Sequence, residues 1–424
     1  MTKVLRRKRA DFIATGIITA VAVVGVGTVW ATANIRHSHL EPAASTFSAE
    51  ATGTVIPHSL STSWTASAAD YGSLNKPLVV GGVAISTETD GDNSVVRGMD
   101  PKTGQQLWEY SRNLPICSIG GAWGEVVVTY SDKKQCGDVV AITATTGQYK
   151  ATRSDIAPSS VMGVQSNDAV GTYSRTRLEL WRSDMVRTVE YGEVYAPQEP
   201  KMQPHQNCEI NSVLTRKDLV AVANACQADG DKTRIVMMKR APSDARKPET
   251  NSDITVNGTG AQIVAIGQTA AAVYVPPTAG SDKATILSIG SDGKTTTTTS
   301  VDPSPQISTL GQSDVYAPDV ADLPHHITWF DGSRLYLFVP ETMKVARIFT
   351  DALGTGVAMG DRLLIPVRSG IAVANWDTGA VDYIIPVDRG NYPAGSPVSL
   401  AIAGNTIIEK RGQELVALRS ADAN

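Results

Sequence analysis

The chain of 424 residues is 42% hydrophobic and 19% charged, ordinary globular material able to bury a large core. Its net charge of −4 hides a basic start: Lys3, Arg6, Arg7, Lys8 and Arg9 stand against Asp11, so the body is more acidic than the total. That acidity argues against nucleic acid as a partner, because such affinity rests on phosphate neutralisation by Lys and Arg. Six histidines and 6% aromatic residues leave little for His-rich metal sites or base-stacking platforms.

Residues 1–11 read as a cytoplasmic basic tail, and the uncharged run 12–31, FIATGIITAVAVVGVGTVWA, as a transmembrane helix. The basic flank and Trp30 near the far end place the N-terminus in the cytoplasm and the body outside, a single-pass cell-membrane topology. A cleaved signal peptide is the competing reading, since Ala31-Thr32-Ala33 is an A-x-A site, but the apolar run exceeds a usual signal core. Residues 32–59 are rich in Ala, Ser, Thr and Pro without apolar periodicity and read as a flexible tether. Coil of that length would span roughly 30 Å.

From residue 60 to 424 the apolar runs are short and β-rich, with turn residues between them. An apolar run, a tight turn and a second apolar run recur, as in LVVGGVAI, IGGAWGEVVVTY, GVAMGDRLLIPV and LAIAGNTIIE. Turns placed at Gly81, Gly124, Asn167, Lys217, Gly267, Ser313, Gly360 and Gly404 lie 43 to 50 residues apart. Gly and Asn suit a two-residue hairpin; Lys217 and Ser313 suit it less. A 40–50-residue period of short strands marks an all-β propeller of eight blades, or seven if one hairpin is a decoration. The last unit lacks an outer strand, whereas Leu60–Ala66 precedes the first hairpin without a blade. Pairing that segment with the final blade would close the ring.

The stretch Met99–Trp108, MDPKTGQQLW, carries Asp100, Thr103, Gly104 and Trp108; Asn375, Thr378, Gly379 and Tyr383 form an imperfect copy, and Thr145-Thr146-Gly147 a fragment. This D-x-x-T-G-x-x-x-W pattern resembles the repeat of pyrroloquinoline-quinone-type (PQQ-like, quinoprotein-like) β-propellers. With the single anchor, the LELWRSDMVRTVEYGEVYAP stretch and paired cysteines, the chain resembles membrane-anchored propellers of actinobacterial envelopes. In architecture it is also similar to the scaffold lipoprotein of outer-membrane protein assembly. The resemblance implies either a dehydrogenase holding a quinone and calcium, often sandwiched by adjacent cysteines and a tryptophan, or a scaffold. No Cys-Cys pair occurs here. The motif also has a sufficient structural role: Asp and Thr hydrogen-bond turn backbone, Gly accepts positive φ, and Trp packs between blades.

Cys117 and Cys136 bracket the Gly124 turn, and Cys208 and Cys226 bracket the Lys217 turn. The start of one hairpin strand lies beside the end of its partner, so the pairings Cys117–Cys136 and Cys208–Cys226 are natural outside the cytoplasm. Turns between first and second strands occupy one face of a propeller. The other face carries connections that are long and polar here: residues 87–94, 131–138, 195–207, 227–232 and 318–326. That face is the expected surface for a partner. Leu178–Glu193, with Arg182, Asp184, Arg187, Glu190 and Glu193 around Trp181 and Tyr191, reads as an outer strand pair with solvated charges or as a charged recognition strip.

His325-His326 and His37-Ser38-His39 lack companion ligands at a diagnostic spacing, and no nucleophile-elbow, zincin or phosphate-loop pattern occurs. The sequence therefore points to no catalytic residue, no cofactor and no metal. The leading expectation is a non-enzymatic, membrane-anchored extracytoplasmic propeller that acts as a protein-interaction scaffold for an envelope protein. A small-ligand or glycan receptor using the central funnel comes second, and a quinone-dependent dehydrogenase third.

Overall fold

The computed structural model describes residues 8–71, 75–132, 134–195, 197–311 and 314–421. Eight antiparallel sheets form the blades of a propeller, behind one apolar helix, Arg9–Thr32. The helix runs three residues before and one after the expected span, is wholly exposed and is long and apolar enough to cross a membrane.

Burial follows the strand period and position in each blade. Second strands such as Glu125–Tyr130, Ala169–Tyr173 and Ala270–Val275 are buried at every residue, because blades flank them on both faces. Outermost strands such as Tyr149–Ser154 and Thr295–Val301 alternate toward solvent. The core lies between blades: Val83, Val96 and Trp108 of the first pack with Val126, Val128 and Val140 of the second.

Ring closure occurs as the sequence predicts. Leu60–Ser67 pairs with Glu414–Ser420 and becomes the outermost strand of the eighth blade. Seven of the eight predicted hairpins fall at or within one residue of their predicted turns; that of the second blade is Trp123-Gly124. The sixth is misplaced. Ser313 lies outside the described residues, and the first hairpin of blade six joins Asp319–Asp322 to Ile327–Phe330. Residues 318–326 are therefore that hairpin and its turn, not a connection between second and third strands. Residues 87–94 are also mostly strand: Glu88–Val95 and Asp90–Asn93 are cross-strand pairs, leaving two residues between.

The tether differs most from expectation. Ser38–Glu41 pairs with the outermost strand of blade one, Gln106–Arg112, as a fifth strand. The chain then crosses the short-turn face: Ala43 and Phe47 donate backbone N–H groups to Thr146 and Thr145 of blade two, and Gly53 to Gly404 of blade eight. Ala, Ser and Thr tolerate such close backbone docking. Backbone bonding, which composition does not reveal, holds the strap.

Candidate functional site

Asp100 Oδ1 accepts the N–H of Lys102, Asp100 O accepts that of Gly104, and Thr103 Oγ1 accepts that of Gln105. The motif residues thus build the turn between third and outermost strands, with Gly104 at φ 72°. Trp108 is 1% exposed and donates Nε1–H to the carbonyl of Ala144 in blade two, at 2.6 Å. A Cβ on Gly147 would sit 2.4 Å from Trp108, and one on Gly104 would sit 2.5 Å from Trp64 of blade eight. Each tryptophan therefore occupies the space over the next blade's turn glycine. Asn375, Thr378 and Gly379 build the same turn, but Arg347 lies over it and Tyr383 packs on His58 of the strap, ring centroids 4.8 Å apart. One further copy carries Met343 (φ 56°) at the glycine position, and blade three has a turn one residue shorter with Met185 (φ 61°), so a glycine-based search misses both.

Both predicted disulfides are present, Cys117–Cys136 and Cys208–Cys226, with Cα–Cα distances of 6.0 and 4.4 Å. They join the starts of innermost strands to the connections after second strands, on the long-loop face.

Beside the second disulfide the long connection 193–208 folds over blade three. Its Gln203, buried, accepts the N–H of Gly192 and donates to the carbonyls of Glu190 and Arg246, closing the edge of the outermost strand Arg187–Gly192. Under this loop the charges of the Leu178–Glu193 strip are not simply solvated. Glu179 and Glu190 are buried; Arg177 contacts both, at 2.5 and 2.7 Å, and Arg187 does so at 3.2 and 2.7 Å, while Arg153 joins Glu179 at 3.2 Å. Only Arg182–Asp184 is an exposed surface pair. Burial opposes ionisation of Glu179, but Arg153 and Arg177 outweigh it and hold its pKa below the ordinary value. At Glu190 burial prevails over Arg177 and Arg187, and the pKa rises.

This network floors a groove of about 470 Å³ whose walls include Ile156, Val186 and Tyr195. All three are at least 41% exposed, although most apolar side chains of the propeller are buried. An arginine-lined floor with exposed apolar walls suits a polypeptide surface better than a single small ion.

The channel mouth on the long-loop face is occupied by the chain's own connections. The segment leading to blade one brings Asn75 and Lys76 to blade six, where Asn75 donates to Asp319 Oδ1 at 2.8 Å and Lys76 to the carbonyl of Val320 at 3.1 Å. From the far side, the 302–318 connection places the carbonyl of Tyr316 under the Tyr173 hydroxyl at 2.9 Å. A cavity of about 320 Å³ remains, lined by Lys76, Asp319, Gln306, Lys410, Phe330 and Tyr392 among others. Burial lowers the Lys76 pKa against the pull of Asp319 and Asp322, and raises that of Asp319 against its amide donors.

His325 and His326 pack on Trp376, at 5.3 and 5.8 Å between centroids, and His39 pairs with Glu41 at 3.1 Å. Among the described residues, His205 gathers with Cys208 and Cys226 at ligand spacing, but those sulfurs form the disulfide and His205 pairs with Asp253 at 2.7 Å. The sequence pointed to the Leu178–Glu193 strip and the 195–207 connection that line this groove. It did not point to Arg153, Ile156 and Arg246 from the neighbouring blades, nor to the channel lysines, because each site joins residues from several blades.

No family model matches the chain, and no curated protein does. Among solved structures it is similar to the computationally designed Ika8 protein, at 13% identity, TM-score 0.50, covering 83% of this chain and 98% of that one. The N-terminal domain of Nup159 matches at 10% identity and TM-score 0.42, over 89% and 99% of the two chains. The likeness to the designed protein is one of fold.

Proposed function

We propose that the protein is a non-enzymatic, membrane-anchored scaffold whose propeller stands outside the cytoplasm and docks another envelope protein. The observation that carries this reading is the groove along blade three, where Ile156, Val186 and Tyr195 stay exposed over a buried arginine–glutamate floor. Apolar side chains gathered around fixed charges are the composition of an interface, with aromatic and arginine residues as anchors. The Cys208–Cys226 bond fixes the base of the loop that forms it, and two disulfides fit an oxidising compartment. Five basic residues ahead of the helix favour an inside N-terminus. The D-x-x-T-G-x-x-x-W turn supports kinship with PQQ-like repeats used as scaffold, since its tryptophan and glycine act in blade joints.

The test is purification of the full chain from detergent, beside its Tyr195→Asp variant. A stoichiometric envelope protein that accompanies the wild type and is lost from the folded variant supports the reading. A partnerless wild-type chain, or equal recovery of the same protein with both, contradicts it.

A further inference from the structure

The channel cavity carries charges that a mere plug would not need. Lys76 reaches it on the connection into blade one, Asp319 on the inner strand of blade six and Lys410 on the second strand of blade eight. An ammonium has three N–H donors. Among the described residues, Lys76 Nζ makes one hydrogen bond, to Val320 O. Lys410 Nζ makes two, to Asp70 and to the carbonyl of Gly412.

Several acceptors that line the cavity already carry other bonds. Asp319 takes one amide N–H on each oxygen, from Asn75 and Gln306; Gln306 Oε1 accepts from Tyr316, and Gln165 Oε1 from the N–H of Gly121. Lys410 is paired in charge with Asp70, and Lys76 lies beside Asp319 and Asp322, yet two N–H donors of Lys76 and one of Lys410 meet no acceptor among the described residues. Phe330, Leu353 and Tyr392 supply an apolar wall. The volume lies at the small end of ligand pockets.

We infer that this cavity binds a small carboxylic acid, its carboxylate between Lys76 and Lys410 and its apolar body against Phe330, Leu353 and Tyr392. The carboxylate supplies the missing acceptors through charge-assisted hydrogen bonds. It can belong to a free acid or to the C-terminus of a short peptide. This binding is independent of the groove on blade three.

The experiment is calorimetric titration of the full-length, detergent-solubilised protein with benzoate, benzamide, tri-alanine and C-amidated tri-alanine. Benzoate or tri-alanine should bind saturably, and the matching amide about tenfold more weakly, as loss of one charge-assisted hydrogen bond implies. Benzoate alone identifies a free acid as the source; tri-alanine as well admits a peptide terminus. Lys76→Met should weaken binding by at least about tenfold and Lys76→Arg restore part of it. Melting without ligand verifies folding, and Lys410→Met replaces Lys76→Met if that variant fails to fold. Tyr195→Asp should leave binding unchanged. The inference is overturned if neither acid binds saturably at millimolar concentration, if amides bind as well as acids, or if a folded lysine variant binds like wild type.

Discussion

Trp108 donates its indole N–H to the carbonyl of Ala144, so the residue that makes the first blade's repeat recognisable is committed to holding the second blade. Its ring also fills the space over Gly147. Truncation to alanine removes both the packing and the bond, and should destabilise the propeller by about 3–5 kcal/mol. Trp108→Phe keeps much of the packing but leaves a buried carbonyl unpaired, and should cost about 1–3 kcal/mol. Equilibrium denaturation in urea, compared at constant slope, measures both.

The strap from residue 38 belongs to the folded body. A soluble chain beginning at Ser38 should melt like the full-length protein, because it keeps the fifth strand on blade one and the bonds to Thr145, Thr146 and Gly404. A chain beginning at Leu60 keeps the closing strand yet loses these contacts and should melt several degrees lower. Differential scanning calorimetry of the two truncations decides the point.

Glu179 links stability to pH. Its folded pKa is depressed by the neighbouring arginines, so its contribution is present above the ordinary glutamate pKa and is lost as pH falls through the lower folded value. Glu179→Gln should destabilise the protein at neutral pH by about 1–3 kcal/mol, because Arg153, Arg177 and Arg187 each lose one of two carboxylate partners and keep only Asp155 or Glu190. The gap should narrow below the ordinary glutamate pKa. Glu190 acts in the opposite sense, since its raised pKa means acidification relieves a cost of burying its charge. Urea melts of wild type and Glu179→Gln between pH 7 and pH 3 measure the difference.

Blade number, ring closure and disulfide pairing were legible in the sequence because each rests on local signals. These are a turn flanked by apolar runs, a strand without a blade, and cysteines placed symmetrically about a hairpin. Blade six was misread because the 302–318 connection, with its short helix Pro305–Ser308, separates the first hairpin from the preceding blade. Met185 and Met343 take left-handed turns that composition assigns to glycine. The strip Leu178–Glu193 and the connection 195–207 were singled out in the sequence, but not that they floor one groove with Arg153. Stacking of blade three on blade two brings Arg153 to Glu179, and ring closure brings Lys76 to Asp319.

Lys217 is held at φ 52° in the first hairpin of blade four, with an exposed side chain 3.5 Å from Asp168. Left-handed backbone costs a lysine about 1–2 kcal/mol, part of which glycine returns as unfolded-state entropy. Lys217→Gly should therefore stabilise the protein by about 0.5–1 kcal/mol, with the bond from Arg240 to the residue 217 carbonyl retained. Thermal melts check this directly.

The groove on blade three is tested most directly by a photo-crosslinking side chain placed at residue 195 in growing cells, with Ile348 on the outer strand of blade six as the control position. One dominant crosslinked envelope protein is expected from position 195, absent from position 348 and lost when Ile156 is changed to Asp. No specific adduct from position 195, or the same adducts from both positions, would contradict it.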